Sequence, residues 1–385
     1  MKILHAIQSL SPADGGPPQA VRNLMRAYAS LGVEGEVFCL DTPGTEFLNE
    51  VAAPVHALGP RRGGFGYSST IPHWLNAHLP AYDALVLHGI WNYTNVAARR
   101  TMLKLKRPYA VFPHGALDPW FNRQYPLKKL KKQIFWPWQY PVLRDAKAVL
   151  FTSTTERDLA ATSFQPSRWN ALPVPYGAME PEDNPAAQTA AWFQHAPSLV
   201  VDGRPRRYLL FLARIHEKKG CDLLLQAFAH IAASAPDLHL VIAGPDQVGL
   251  QAKLQQQAAQ AGIADRVHWP GMLRGDVKWG ALRHCEAFVL PSHQENFGIA
   301  VAEALACGKP VLISDQVNIW PDIEADESGL VEKDTLEGTC KLLERWLALN
   351  PSQREAMVSR ALPCFRKRYS MQETARAIRD LFSTP

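Results

Sequence analysis

The chain has 385 residues, of which 47% are hydrophobic and 20% charged, with a formal net charge of +5. That length exceeds one ordinary core and fits two domains, and so small a charge excess argues against a nucleic-acid partner. Six cysteines (Cys39, Cys221, Cys285, Cys307, Cys340, Cys364) form no C-x-x-C pair, which disfavours a metal cluster and a disulfide framework and fits a reducing compartment. The N-terminal MKILHAIQSL has its apolar run broken by His5 and Gln8, so it reads as a first buried strand and not as a signal peptide. No window reaches 18 consecutive apolar residues. The expected location is therefore the cytoplasm or the surface of a membrane.

Strand and helix patterns alternate along both halves, which predicts an α/β protein with parallel sheets. The first half offers strands at KILHAI, GEVFCL, VHAL, DALVLHG, YAVFPHG and AVLFTS, and helices over 19–31, 96–106 and 154–161. LSPADGGPPQAV sets Gly15 and Gly16 between the first strand and a helix starting at Pro17 or Pro18. Two readings stand: paired glycines that let the backbone approach an anion, or an ordinary tight turn. The spacing is neither G-x-G-x-x-G nor G-x-x-x-x-G-K-[ST], so dinucleotide and P-loop binding are both excluded. VFPHGALDPW puts His114 and Gly115 at a strand end facing the expected interdomain cleft, while His88 in VLHG reads equally as a core or a site residue.

The stretch YPLKKLKKQIFWPWQYPVLR is basic and aromatic together, with Lys128, Lys129, Lys131 and Lys132 ahead of Phe135, Trp136 and Trp138. It suits an interfacial helix, over 128–138, touching anionic headgroups or docking a lipid-linked acceptor. The alternative is a charged helix face with its aromatics in the core. A region rich in Pro, Asn and Gly then runs from about 176 to 205. It places the domain boundary at 185/186, giving domains 1–185 and 186–369, with AAQTAAWFQH as a helix inside the boundary region.

The second half restarts with RYLLFLA and continues through LHLVIAG, RVHWPG, AFVLPS and PVLISD, with helices over 222–233, 250–260, 277–284 and 298–307 and three more after 335. FLARIHEKKG follows its first strand, so Arg214 and Lys219 flank a loop leading into a helix. Two cations at the carboxyl end of a parallel strand can neutralise a diphosphate, whereas Lys218 and His216 read as solvated. ENFGIAVAE places Glu295 and Asn296 in a strand-to-helix loop and Glu303 inside the helix. On one continuous helix the two carboxylates would stand about 12 Å apart, too far to share a proton. They read as separate grips on one long ligand, with the free amides of Phe297, Gly298 and Ile299 offered to an anion between them. Hydroxyls at both ends and phosphate in the middle describe a nucleotide sugar. PDIEADE, over 321–327, lacks His neighbours and D-x-D spacing and reads as a loop.

ENFGIAVAEALACGKPVLISD resembles the E-x7-E signature of retaining glycosyltransferase family 4, of the GT-B fold. ARIHEKKGCDLLLQAF, SLSPADGGPPQAV, HGALDPW and LVIAGPD…VHWPGML resemble the same family's segments, so the similarity covers nearly the whole chain. HGALDPW followed by a basic segment is most similar to members that build bacterial exopolysaccharide, O-antigen or colanic-acid-type polymers. The resemblance implies two Rossmann-like domains facing across a cleft and a nucleotide-sugar donor held mainly by the second. Glu303 would bond the ribose, Arg214 and Lys219 the diphosphate, and Glu295 with the Asn296–Gly298 backbone the transferred sugar. Gly16 would approach the phosphate, His114 the sugar, and the base would lie near Gly271 and Met272. A C-terminal helix at 372–382, within a 370–385 segment, would return to the first domain. His293 receives no role.

The implied reaction is attack of an acceptor hydroxyl, on a glycan or lipid-linked glycan, at the anomeric carbon with configuration retained. Arg214, Lys219 and the helix N-terminus at Gly298 are placed for the charge that grows on the leaving phosphate, so neither a divalent metal nor a cofactor is expected. No carboxylate presents itself for a covalent route, which favours same-face attack. A nucleotide-sugar epimerase or hydrolase on the same scaffold, and a hinged two-domain sugar-binding protein, are the competing readings. Acceptor choice would lie in first-domain loops, including 61–70.

Overall fold

The computed structural model describes residues 1–61 and 63–383. Position 62 of the expected acceptor loop and the last two residues of the expected 370–385 segment lie outside the described residues. The chain divides into two compact units: Met1–Gly177 with Ser370–Pro385, and Ala178–Tyr369.

The first unit is built on a seven-stranded sheet. Its strands are β1 (Lys2–Ala6), β2 (Glu34–Cys39), β3 (Val55–Ala57), β4 (Ala84–His88), β5 (Tyr109–Phe112), β6 (Ala148–Phe151) and β7 (Ala171–Pro173). They lie in the order β3-β2-β1-β4-β5-β6-β7, every pair parallel. The crossovers include α1 (Gly16–Ala29), α2 (Thr70–His78), α3 (Tyr93–Leu105), α4 (Pro119–Gln124), α5 (Pro126–Arg144) and α6 (Thr154–Ala161). Leu4, Leu85, Leu87, Val111 and Val149 pack with Leu75, Ala98, Trp136 and Val142 into one core on one face of the sheet. The pleat sends alternate residues to the other face, and these include His5 and His88.

The second unit opens with α7 (Pro185–His195) and a short hairpin, β8 (Val200–Val201) with β9 (Arg204–Pro205). Its sheet has six parallel strands: β10 (Arg207–Leu212), β11 (Leu238–Ala243), β12 (Val267–Gly271), β13 (Ala287–Leu290), β14 (Val311–Ser314) and β15 (Gly329–Glu332). The order is β12-β11-β10-β13-β14-β15, so the winding reverses between β10 and β13. Helices α8 (Cys221–Ile231), α9 (Leu250–Gln260), α10 (Gly275–His284), α11 (Ile299–Ala306), α12 (Trp320–Ala325), α13 (Leu336–Ala348) and α14 (Pro351–Arg368) fill the crossovers and follow the last strand. The final helix, α15 (Met371–Ser383), packs on α1 of the first unit.

Several expectations need correction. The first unit ends at Gly177 and not at 185, because α7 packs on α10 and draws the proline-rich stretch before it into the second unit. Residues 321–327 are not all loop: α12 forms with Pro321 in its first turn, and Arg368 bonds both Asp322 and Asp326. The first helix begins at Gly16, ahead of Pro17 and Pro18. Strands β7 and β15, helix α2 and the small hairpin were not anticipated, since they are short or lack a clean apolar period.

Candidate active site

In an open parallel sheet, ligands bind beyond the carboxyl ends of the strands where the winding reverses. In the second unit that point lies between β10 and β13, and two loops meet there. The loop after β10 carries Arg214 and the 3-10 turn Glu217–Lys219; the loop after β13 carries Glu295 and leads into α11. Gly220 is what lets them approach. Its φ is +67°, and a Cβ there would fall 2.1 Å from the Pro291 carbonyl oxygen. The Lys218 carbonyl accepts from the His293 amide at 2.9 Å and from the Ser292 hydroxyl at 3.0 Å, lacing the loops together. His216 has a local role only, its Nδ1 accepting from the Lys218 amide at 3.0 Å.

Lys219 is 7% exposed and ion-pairs with Glu295. Burial alone would raise the Glu295 carboxyl, but the charge and hydrogen bond of Lys219, with Lys218 and Arg214 behind it, hold it below the usual carboxylate range. Glu295 is therefore an anion fixed among three cations. Its backbone is held as well, with its amide on the Gln316 carbonyl and its carbonyl on the Asn318 amide, both at 3.0 Å. Arg214 is exposed and donates to Gln247 Oε1 at 3.3 Å.

Gly298 caps α11 with φ +78°, and its lack of a Cβ spares a 3.0 Å contact with Val301 Cγ2. The cap has no side-chain hydrogen bond, so the first amides of α11, from Ile299 on, are not capped by the residue before them. Phe297 has a packing role, meeting Tyr369 edge-on at 5.6 Å. Glu303 lies one turn into α11, 6% exposed, and its Oε1 accepts from Lys278 Nζ at 2.6 Å. Lys278 comes from α10 and also covers the Trp279 ring at 4.2 Å. No sequence signal marked it, because its partner lies in a different crossover. Gly271 ends β12 with φ +74°, and its carbonyl accepts from the Gly244 amide at 2.8 Å. Met272 beside it is exposed. His293 turns instead to Asp334, 3.1 Å away.

In the first unit, Gly15 caps α1 with φ +90° and open space where a Cβ would stand, and Gly16 is the first helical residue. His114 follows β5 with φ +52° and stacks on His88 at 5.2 Å between ring centroids. The Gly115 amide donates to Glu156 Oε1 at 2.7 Å, which anchors the loop. Sequence reasoning left His88 open and did not anticipate that His5, from the next strand, would join it.

A family model described as Glycosyl transferase 4-like domain matches residues 15–177, and one described as Glycosyl transferases group 1 matches residues 201–362. The two fall on the two units. The chain belongs to the group 1, GT4-type glycosyltransferases. The glycosyltransferase is 27% identical over 353 residues to the GDP-mannose:cellobiosyl-diphosphopolyprenol alpha-mannosyltransferase of Xanthomonas oryzae pv. oryzae, across 88% of this chain and 85% of that one. It is 39% identical over 130 residues to the D-inositol 3-phosphate glycosyltransferase of Geodermatophilus obscurus, across 32% of this chain and 29% of that one. HepE of Anabaena, solved in complex with UDP and glucose, shares the GT-B fold at a TM-score of 0.77 and 18% identity, with 100% of both chains covered.

Proposed function

We propose that this glycosyltransferase takes a sugar from a nucleoside-diphosphate donor and passes it, with retention and without a metal or cofactor, to a hydroxyl of a glycan or lipid-linked glycan in bacterial surface-polysaccharide synthesis. The observation that carries the reading is the cation cluster at the β10/β13 reversal: Arg214, Lys218 and Lys219 around Glu295, beside the N-terminus of α11. Arg214 is exposed and takes the diphosphate, with Lys219 and the amides at Gly298 and Ile299 completing the cradle. Their positive potential is fixed before reaction and stabilises the charge that collects on the leaving phosphate. Glu295 holds the transferred sugar, with the Asn296 and Phe297 backbone beside it.

Glu303 Oε1 is engaged by Lys278, leaving Oε2 to accept from a ribose hydroxyl, and the base lies by Gly271 and Met272. The family resemblance further assigns Gly15 and Gly16 to the phosphate and His114 to the sugar. The diphosphate oxygen that leaves takes the acceptor's proton on the same face of the ring. HepE's complex with UDP and glucose, and the relative that uses GDP-mannose and a diphosphopolyprenol, support a nucleotide donor and a lipid-linked acceptor.

The test is a melting-temperature screen in EDTA against UDP-, GDP-, ADP- and dTDP-sugars, because a ligand that binds the folded state raises its stability. At least one donor raises the melting temperature, and Arg214→Ala weakens that donor by about 1.5–3 kcal/mol in titration calorimetry. Folded protein with a flat response to all four contradicts the reading. The anomeric proton coupling of the product, read by NMR, decides retention.

A further inference from the structure

Four ring side chains of the first unit, each from a different part of the fold, form one hydrogen-bonded row. Tyr28, from α1, is 1% exposed, and its hydroxyl lies 3.0 Å from His5 Nε2. His5 Nδ1 lies 2.9 Å from His88 Nε2, and His88 Nδ1 lies 2.9 Å from His114 Nε2. His5 sits on β1, His88 at the end of β4 and His114 just past β5, so the row runs along the carboxyl ends of neighbouring strands.

Every ring in the row is neutral. Burial lowers His5 and His114 to about 3, and it holds His88 well below the ordinary imidazole value, helped by the histidines on either side. A neutral imidazole carries one N–H and one lone pair, so the direction of a single bond settles all the others. Tyr28 settles it. Among the described residues its hydroxyl has one partner, His5 Nε2, and a buried O–H hydrogen needs an acceptor. Tyr28 therefore donates to His5 Nε2, His5 Nδ1–H donates to His88 Nε2, and His88 Nδ1–H donates to His114 Nε2. His114 is left with its proton on Nδ1, the one ring nitrogen in the row without a hydrogen-bond partner among the described residues. The reverse direction would strand the Tyr28 hydrogen inside the protein.

We infer that Tyr28, His5 and His88 are positioning residues that lock His114 as the Nδ1–H tautomer, so that it offers a sugar nucleotide a fixed neutral hydrogen-bond donor and has no basic nitrogen to offer. The ligand half of this rests on the reading that His114 reaches the donor. It names the chemistry His114 selects: an oxygen that accepts, such as a hydroxyl or phosphate oxygen, and not a group that must give up a proton. In water the Nε2–H form is the more common imidazole tautomer, so three successive Nδ1–H rings are a distinctive signature.

The experiment is long-range proton–nitrogen NMR of the full chain labelled with 15N-histidine at pH 7.5, where protonated and bare ring nitrogens resonate far apart. Signals are assigned by the single variants His5→Gln, His88→Gln and His114→Gln. All three residues show a protonated Nδ1 and a bare Nε2. Tyr28→Phe removes the hydrogen that sets the direction, so Nε2–H signal appears at His114 and kcat/KM falls about three- to tenfold, the size of one net hydrogen bond. A protonated Nε2 on His114 in the unaltered protein overturns the lock, and so does a Tyr28→Phe spectrum and rate identical to the parent. If the lock is seen but His114→Ala binds donor unchanged in calorimetry, the ligand half falls together with the site reading that placed His114 there.

Discussion

Lys278 and Glu303 illustrate how a residue acquires meaning only through its neighbours. The E-x7-E spacing marks Glu303 in the sequence, but Lys278 stands 25 positions earlier in another helix and carries no motif. The fold brings its ammonium 2.6 Å from the carboxylate, which is 6% exposed. An anion so little hydrated needs a partner, and removing one member of a buried pair costs more than the pair itself contributes. Lys278→Met should therefore lower the free energy of unfolding by about 1–3 kcal/mol. Adding Glu303→Gln should return part of that loss, because the stranded charge goes with it. Urea unfolding of the two single variants and the double variant measures the coupling; strictly additive losses would mean the pair is not coupled. The sequence singles out Glu295 and Lys219 separately, but their mutual ion pair was not legible in it, since spacing does not report how two loops approach.

Helix α5 carries features of both of its sequence readings. Trp136 is buried with its indole N–H on the Pro166 carbonyl, as the core reading requires. Leu127, Leu130, Ile134 and Trp138, however, are all exposed, at spacings of three and four that place them on one stripe. Lys128, Lys129 and Lys131 are exposed alongside, while Lys132 lies over the Trp91 ring at 5.2 Å. The apolar surface is continued by Phe65, whose ring stands 6.2 Å from that of Phe135. No helix among the described residues is long and apolar enough to cross a membrane. An apolar stripe flanked by lysines matches a helix lying in an anionic interface, where each lysine near the surface contributes about 1 kcal/mol. Co-sedimentation with vesicles containing phosphatidylglycerol should fall at least about tenfold for the triple variant Lys128→Glu, Lys129→Glu, Lys131→Glu, and for Leu130→Ser with Trp138→Ser. The binding should weaken with salt. Equal sedimentation of parent and variants would contradict the interfacial reading of α5.

The whole molecule carries a pH signature set by its buried rings. His5, His88 and His114 are held neutral in the folded state, whereas in the unfolded chain a histidine titrates near 6.5. Their folded values lie below the unfolded one, so the unfolded chain takes up protons first as the pH falls. Their contribution is fully present above about pH 6.5 and declines toward about 3, by about 1.4 kcal/mol per pH unit for each of the fully buried His5 and His88. Glu36 is opposed by burial but is held at about 2 by His56, Lys2 and Tyr82, and Asp326 at about 2 chiefly by Arg368. These carboxylates act in the same direction but only below about pH 4.5. The urea midpoint should consequently drop between pH 7.5 and 5.5, above the range in which Glu36 and Asp326 act. Equal midpoints at those two values would mean the histidines are not held neutral.

Much of this was written in the chain. Apolar runs and period-3.6 patterns placed the strands of both sheets other than β7 and β15, with helices such as α6 and α9 read to the residue, because a run that is buried on a pleat or on a helix stripe must show it in its residues. The E-x7-E and ARIHEKKG segments marked the two loops that meet beyond β10 and β13, the place where an open parallel sheet takes its ligands. Only the tertiary structure decided what depends on distance between remote segments. Such facts include the Lys278–Glu303 pair, the domain boundary at Gly177, the ion pairs of α12 with Arg368, and the row of rings from Tyr28 to His114. The reason is physical: a local period records which side of an element is buried, while a hydrogen bond across the fold depends on how separate elements converge, and one sequence carries no coordinate for that.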